Sequence, residues 1–225
     1  MDYRKEYEKW LASPALSEDE RAELKALEGN DKEIKARFYG PLEFGTAGLR
    51  GTMYTGLHNM NRHVIRWATQ GFANVIRAEG TEAMQKGVAV CMDCRNHSAE
   101  FARETACVMA ANGIHVRLFE SLRPTPELSF AVREYGCQAG VNVTASHNPK
   151  EYNGYKVYWA DGAQLPPQHA AAIADELTRI DIFTGVQSMD YEQALAEGRI
   201  ELLGEDCDRR FMANVMGMVN DYETV

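Results

Sequence analysis

The segment AGVNVTASHNPKEYNGYKVYW, residues 139–159, predicts a buried strand, a turn and a second strand. The apolar run at its start is typical of a strand in the interior of a sheet. Pro149 then stops any helix and fixes the turn, because the proline ring fixes φ and the residue has no N–H to donate. Residues 155–159 alternate in character, so Lys156 and Tyr158 should face one side of the sheet and the residues around them the other.

Ser146 stands where the first strand meets the turn, with His147 and Asn148 beside it. A small hydroxyl next to an imidazole, with a lysine one loop away at position 156, has the parts of an activated nucleophile or a phosphate carrier. The same residues also suit a serine- and asparagine-rich surface turn, since short motifs recur by chance. The residues by themselves leave both interpretations open.

A second segment with chemical content is FGTAGLRG, residues 44–51. Glycine recurs there at every third position, which lets the backbone approach a ligand closely and point N–H groups toward it. Arg50 supplies a planar fork that suits phosphate oxygens. The alternative is a glycine-rich turn with a solvated arginine. The spacing is neither GxGxxG nor a P-loop, so it implies no nucleotide.

Strands and helices alternate through the middle of the chain. Apolar runs predict strands at 87–92 and 114–119, and helical spacing predicts helices that begin at Asn61, at Ser98, after Pro124 and at Pro166. This order predicts an α/β structure with a largely parallel sheet. The functional loops should gather beyond the carboxyl ends of its strands, where Ser146 falls.

The two ends of the chain carry weaker patterns. Residues 1–40 are rich in charge and predict two or three short helices on a larger body, with a capping box that runs from Ser17 to Glu20. From 191 to 203 we expect a short helix and an edge strand, and residues 205–209 should form a solvated acidic turn that caps a further helix.

Composition excludes some classes of partner. A formal net charge of −9 argues against nucleic acid or an anionic membrane as the main partner, but not against an anionic substrate. No apolar run approaches the length of a membrane span, and the first five residues begin no signal peptide, so we expect a cytoplasmic protein. Five irregularly spaced cysteines suit reduced thiols rather than a disulfide framework.

The segment TASHNPKEYNGYKVY resembles the phosphoserine loop of the α-D-phosphohexomutases, the phosphoglucomutase and phosphomannomutase family, and FGTAGLRG resembles a segment that they carry upstream of it. Asp93-Cys94-Arg95 is similar to the family's turn after a strand, where we expect an ion pair that shapes the site. The resemblance covers about residues 40–185 and is strongest to the phosphoglucomutase/phosphopentomutase branch. It implies an N-terminal helical extension at 1–40, a three-layer α/β/α domain with a mixed, largely parallel sheet at 41–185, and a linker with the truncated start of a second α/β domain at 186–225.

For the chemistry, the resemblance implies an intramolecular phosphotransferase, a phosphosugar mutase. Phospho-Ser146 would give its phosphoryl group to a sugar phosphate and receive another from a sugar bisphosphate intermediate. As a result, phosphate would move between C1 and C6 of a hexose, or between C1 and C5 of a pentose. The implied catalytic residues are Ser146, His147, Lys156 and Arg50, and the implied phosphate-binding residues are Thr46, Gly48, Arg50, Asn148 and Lys156.

One Mg²⁺ per active site would bind an oxygen of the Ser146 phosphate together with carboxylates. Those carboxylates, a sugar-recognition loop and a C-terminal phosphate-binding loop are missing from the 225 residues. The resemblance therefore implies the N-terminal portion of a longer mutase, with little or no activity by itself. The alternative is a non-catalytic phosphosugar-binding or regulatory module that kept the serine loop. Sugar preference and oligomeric state are not predicted.

Overall fold

The computed structural model describes residues 2–218, and within that range it contains six strands and ten helices. The strands are β1 (Leu49–Thr52), β2 (Val88–Met92), β3 (Val116–Phe119), β4 (Ala139–Val143), β5 (Tyr152–Trp159) and β6 (Ile200–Leu203). The helices are α1 (Tyr3–Ala12), α2 (Glu18–Lys25), α3 (Asp31–Phe38), α4 (Arg62–Ala78), α5 (Thr81–Lys86), α6 (Ser98–Ala111), α7 (Thr125–Glu134), α8 (Pro167–Leu177), α9 (Tyr191–Ala196) and α10 (Glu205–Met216).

The strands form one mixed sheet in the order β1-β5-β4-β2-β3-β6. β2 runs parallel to both β3 and β4, and β3 runs parallel to β6. β5 is antiparallel to β4, because the short segment between them holds no crossover helix that could return the chain to the start of the sheet, and β5 is also antiparallel to β1. The predicted mixed, largely parallel sheet is confirmed.

Helices cover both faces of this sheet. Helices α4, α6, α8 and α9 bury their apolar residues in the larger core on one face, and α7 and α10 pack on the other. β5 shows the alternation that its sequence predicts: Tyr155 and Val157 lie in the larger core, and Tyr158 lies in the smaller one. The three-layer α/β/α architecture is therefore confirmed.

The N-terminal helices share the larger core rather than only covering it. Trp10 is completely buried, and its ring meets those of Phe38, His63 and Phe183 edge-on at centroid distances of 5.7, 5.6 and 5.1 Å. The predicted capping box is present at the start of α2, where the Ser17 hydroxyl accepts from the backbone N–H of residue 20. Residues 1–40 therefore contribute side chains to the larger core.

The sheet continues beyond residue 185, which we expected to end this domain. β6 pairs along its whole length with β3, and Val116 lies opposite Ile200 in that register. The division of the protein into domains stays a prediction. The last part of the expected second-domain start, residues 219–225, lies outside the described residues. Among the helices that the structure describes, none has the length and apolar character needed to cross a membrane.

The acidic turn at 205–209 is less solvated than we expected. Asp208 accepts hydrogen bonds from Arg123 Nε and Nη2 at 2.6 and 2.8 Å, and this ion pair joins α10 to the loop before α7. Residues 205–209 form the first turn of α10 rather than a separate turn before it, and the sequence did not reveal the partner of Asp208, which lies 85 residues earlier in the chain. The Arg123 pair lowers the pKa of Asp208.

Glu127 on α7 lies against this ion pair and is only 3% exposed. Burial raises the pKa of Glu127 to about 7, and a hydrogen bond to the Asp208 carboxylate adds to the effect. Its Oε1 has no hydrogen-bond partner, and the nearest cation, Arg123 Nε, is 4.0 Å away. A neutral Glu127 that donates its proton to Asp208 therefore suits this position better than a second buried charge.

We predict that Glu127 makes the folded state less stable as pH rises. Its pKa is about 7 when folded and 4.5 in the reference state, so the folded chain holds a proton that the unfolded chain has lost between those pH values. The stabilisation is complete below about pH 4.5 and disappears as pH passes 7. Glu127→Gln keeps a donor for Asp208 and should remove this slope, which we expect to amount to about 2 kcal/mol between pH 5 and 8.

Urea unfolding of the wild type and the Glu127→Gln variant across that pH range measures this difference. Contributions from histidines are common to both proteins and cancel. Glu8→Gln, at an exposed position of α1, is the matched control and should keep the wild-type slope. A Glu127→Gln variant with the wild-type pH dependence would contradict the assignment of a shared proton.

Candidate functional site

Ser146 lies in the loop between β4 and β5, at the carboxyl edge of the parallel strands. Thr144 and Ala145 are still buried, so Ser146 is the first exposed residue after β4. Its backbone is left-handed, with φ of 57°, an uncommon conformation for a residue with a side chain. The Ser146 N–H donates to Thr144 Oγ1 at 3.0 Å, which helps to hold that turn.

His147 and Asn148 surround this hydroxyl. Ser146 Oγ and His147 Nδ1 are 3.3 Å apart, and both residues are exposed. Asn148 donates its backbone N–H to the Ala145 carbonyl at 3.1 Å, which closes the turn. The imidazole therefore stands where it can exchange a proton with the serine, while Asn148 shapes the loop.

Arg50 comes to the same loop from β1. Its Nη1 donates to Asn148 Oδ1 at 3.0 Å, across a separation of 98 residues in the chain. β1 pairs with β5, and Arg50 lies opposite Gly154 in that register. The two segments that the sequence analysis singled out, 44–51 and 144–159, therefore meet at one edge of the sheet.

Thr46 and Gly48 lie in the turn that precedes Arg50. Thr46 is exposed at the tip, and Gly48 donates its N–H to the Gly45 carbonyl at 2.8 Å. Gly48 has φ of 77°, and a Cβ on it would lie 1.8 Å from the Tyr155 carbonyl oxygen. The geometry therefore gives Gly48 a packing role, the close approach of the turn to β5. Phosphate binding by Thr46 and Gly48 stays a prediction.

Lys156 faces the opposite side of β5 from Tyr155, as its sequence position predicts. It lies across from Asn142 on β4 and is half-buried. Within residues 2–218, the Lys156 ammonium makes no hydrogen bond or ion pair, and the structure shows no direct contact between it and Ser146. An ammonium with no partner is available to an anionic ligand, but Lys156 is not among the residues that line the cavity beside Ser146, so its phosphate-binding role stays a prediction.

A cavity of about 410 Å³ opens beside Ser146. Its walls are Ser146, Asn148, Lys150 and the turn 93–96, which follows β2. Its volume falls in the range of small-molecule sites. Lys150 was not among the predicted site residues. Its position directly after Pro149 was the only sequence signal that could have placed it in the site.

The turn 93–96 contains the ion pair that the sequence analysis expected. Asp93 Oδ2 and Arg95 Nε are 3.5 Å apart, while Asp93 Oδ1 accepts from the Arg95 N–H and from Ser98 Oγ. The sequence analysis missed the rest of the contacts of Arg95, whose guanidinium donates to backbone carbonyls of the serine loop. No periodicity in the sequence marks a contact between a side chain and a distant backbone.

The residues present do not complete a magnesium site. Among residues 2–218, no group of three histidine, cysteine, aspartate or glutamate side chains could hold a metal ion. Asp93 is the one carboxylate in the wall of the cavity, and its oxygens are engaged by Arg95 and Ser98. A phosphate on Ser146 would supply oxygen ligands, but Mg²⁺ needs more of them than this edge of the sheet offers.

We predict that Gly48→Ala destabilises the chain strongly. The new Cβ would overlap the Tyr155 carbonyl, and alanine is strained at this φ, so we expect a loss of about 2–4 kcal/mol in the free energy of unfolding. Gly45→Ala in the same turn meets no atom within 4 Å and is the matched control, with an expected change within about 0.5 kcal/mol. Urea unfolding of both variants compares them, and equal stabilities would contradict the role given to Gly48.

Known proteins share this architecture and these segments. Residues 41–182 match the family model described as phosphoglucomutase/phosphomannomutase, alpha/beta/alpha domain I. Human phosphopentomutase is 41% identical over 156 residues, which cover 67% of this chain and 26% of that protein. A phosphoglucomutase of Staphylococcus saprophyticus is 33% identical over 193 residues, which cover 86% of this chain and 34% of that protein.

Solved structures agree. A Thermus thermophilus protein assigned as a phosphomannomutase superimposes with a TM-score of 0.59 at 28% identity, over 73% of this chain and 33% of that chain. Parafusin, a phosphoglucomutase from Paramecium, has the same fold, with a TM-score of 0.54 at 24% identity, over 69% of this chain and 28% of that one. The chain thus spans about a quarter to a third of the length of these relatives. With a family model that matches well over half of its residues, the chain belongs to the phosphoglucomutase/phosphomannomutase family.

Proposed function

We propose that this chain is the phosphoserine-bearing part of a phosphosugar mutase, in which Ser146 carries the phosphoryl group that is transferred. The observation that carries the proposal is the geometry of Ser146. Its hydroxyl is exposed on a left-handed turn, with His147 Nδ1 at 3.3 Å and Arg50 anchored to the same loop through Asn148. Membership of the family supports phosphoryl transfer as the reaction that these residues carry out.

The proposed reaction uses Ser146 twice. A sugar monophosphate places a free hydroxyl in line with the phosphorus of phospho-Ser146, the new O–P bond forms, and the bond between Ser146 Oγ and phosphorus breaks. The sugar bisphosphate then turns over, and Ser146 Oγ attacks the phosphorus of its other phosphate. The monophosphate that leaves is the isomer of the one that entered, and Ser146 is phosphorylated again.

Each residue of the chain has one task in this scheme. Arg50 uses one guanidinium N–H on Asn148 and keeps the others for the oxygens of the transferring group. Lys156 supplies a second cation from β5, and Lys150 supplies a third from the wall of the cavity. His147 takes the proton from the attacking hydroxyl and returns it to the leaving oxygen. Transfer of a phosphoryl group depends mainly on such charge neutralisation and alignment.

The substrate class that we propose is a phosphorylated hexose or pentose. The relatives named above include a phosphopentomutase and a phosphoglucomutase, and the described residues do not discriminate between the two sugars. Magnesium is proposed only for the longer protein and enters no step of the proposed reaction, since the described residues do not complete its ligands. A sugar bisphosphate is the proposed activator, and a cytoplasmic location is part of the same proposal.

We predict that Ser146→Ala abolishes mutase turnover in the protein as its source organism makes it. Removal of the phosphate carrier should lower the interconversion of glucose 1-phosphate and glucose 6-phosphate, or of ribose 1-phosphate and ribose 5-phosphate, by at least about a thousandfold. Ser188→Ala, at an exposed serine far along the chain from this loop, is the matched control and should keep full activity.

A coupled assay for both substrate pairs, with phosphosugar binding by calorimetry, distinguishes the two candidate functions. The alternative, a non-catalytic phosphosugar-binding module, predicts no turnover in the wild type and only a slight loss of affinity in Ser146→Ala. Substantial turnover that survives in Ser146→Ala would contradict the proposal.

A further inference from the structure

We infer that Arg95 is a positioning residue for Ser146, which holds the backbone of the serine loop in its reactive shape and does not itself bind phosphate. The inference has two parts. That Arg95 holds the backbone of the serine loop concerns the geometry of this chain alone, whereas the effect of Arg95 on phosphoryl transfer rests on the proposed function. The two halves can therefore be tested separately.

The guanidinium of Arg95 is occupied by four hydrogen bonds and one ion pair within the protein. Nη1 donates to the carbonyl oxygens of Pro149 and Tyr152, both at 2.9 Å, and Nη2 donates to those of Ser146 and Asn148 at 2.8 and 2.6 Å. Nε faces Asp93 Oδ2. Of the five N–H donors of a guanidinium, four therefore hydrogen-bond to loop carbonyls, and the fifth faces the Asp93 carboxylate in an ion pair at 3.5 Å.

Arg50 differs from Arg95 in this respect. Arg50 is exposed and donates to one side-chain oxygen of the loop, whereas the side chain of Arg95 is only 13% exposed and donates to four backbone oxygens. Two arginines therefore meet the same loop with opposite roles. Arg50 keeps donors for a phosphate, and Arg95 fixes the backbone that carries the serine.

The position of Arg95 is itself fixed by hydrogen bonds within and around the turn 93–96. Its N–H and the Ser98 hydroxyl both donate to Asp93 Oδ1, at 2.9 and 2.8 Å. The Asn153 amide donates to Ser98 Oγ and to the Asn96 carbonyl, each at 3.0 Å. Ser98 and Asn153 are fully buried, so this network ties the turn after β2 to the start of β5. Arg95 thus extends to the serine loop from a turn that this hydrogen-bond network holds in place.

The contact with the Ser146 carbonyl matters most for catalysis. A serine at φ of 57° is strained and would relax toward negative φ if its carbonyl were free. That rotation would swing Oγ away from His147 and from the cavity. Because phosphoryl transfer requires in-line alignment, a loop that samples other conformations would slow the chemical step more than it would weaken binding.

Two variants and a matched control test the structural half. Arg95→Ala removes the four donors, and Arg95→Lys keeps the charge but replaces the planar fork with a single ammonium. Arg103→Ala, at an exposed arginine of α6 that stacks on Tyr191, is the control. We expect amide hydrogen exchange in residues 146–152 to rise at least about tenfold in Arg95→Ala and by less in Arg95→Lys, with β4 unchanged.

The catalytic half uses glucose 1,6-bisphosphate as the probe and the rate of phosphate incorporation into Ser146 as the readout. We expect this rate to fall about a hundredfold in Arg95→Ala, while the bisphosphate concentration at half-saturation changes by less than about threefold. Added methylguanidinium should restore part of the rate in Arg95→Ala but not change it in Arg103→Ala. Loss of a merely stabilising contact would not be rescued in this way.

The outcomes separate the two proposals. Exchange in residues 146–152 that stays at the wild-type rate in both Arg95 variants overturns the positioning role. A half-saturation value that rises as much as the rate falls also overturns it, because Arg95 would then be a phosphate ligand. A wild-type chain that never takes phosphate on Ser146 counts against the proposed function, and the exchange measurement still decides the role of Arg95. If Arg95→Ala does not fold, hydrogen exchange and the rate of phosphate incorporation are compared between the wild type and Arg95→Lys instead.

Discussion

The close approach of three backbone segments at one edge of the sheet is the constraint on which the site depends. A Cβ on Gly154 would lie 2.6 Å from the Thr144 carbonyl oxygen and 3.0 Å from that of Leu49, and a Cβ on Gly48 would overlap the Tyr155 carbonyl. Glycine at both positions lets β5 lie between β4 and the turn before β1. This contact brings Arg50 to the loop that follows β4, where it donates to Asn148 Oδ1.

Three cations on β1, on β5 and in the serine loop have no acidic partner among the described residues, although the chain as a whole is acidic. The protein has a formal net charge of −9, yet within residues 2–218 no carboxylate forms an ion pair with Arg50, Lys150 or Lys156. Elsewhere, arginines such as Arg37, Arg66 and Arg123 are paired with acidic side chains. Cations without counter-charges attract an anion at short range even when the net charge of the whole chain is negative.

Much of the fold could be predicted from the sequence, because its signals are local. The N-cap at Asn61, the apolar runs of β2 and β4 and the alternation along β5 each depend on neighbours a few residues apart, and all are found in the structure. The clustering of Ser146 with Arg50 followed from a resemblance to known proteins, not from spacing. Catalytic roles for these residues stay predictions.

The features that sequence reasoning missed all depend on distant partners. Arg95 meets carbonyl oxygens more than 50 residues away, and Glu127 shares its proton with a residue of α10. The left-handed backbone of Ser146 was also not foreseen, since serine seldom adopts it. The contribution of α1 to the core was also missed, because Trp10 is the one buried residue in a helix whose other residues are mostly charged or polar.

The central claim is that Ser146 is a phosphate carrier, and the phosphorylation state of this residue tests it most directly. Intact mass measurement with peptide mapping would be made on the protein isolated from its source organism, before and after incubation with glucose 1,6-bisphosphate. The account predicts one phosphate on the peptide that contains Ser146, within a chain longer than 225 residues. A protein that ends at Val225 and carries an unmodified Ser146 under both conditions would contradict it and would favour a phosphosugar-binding module.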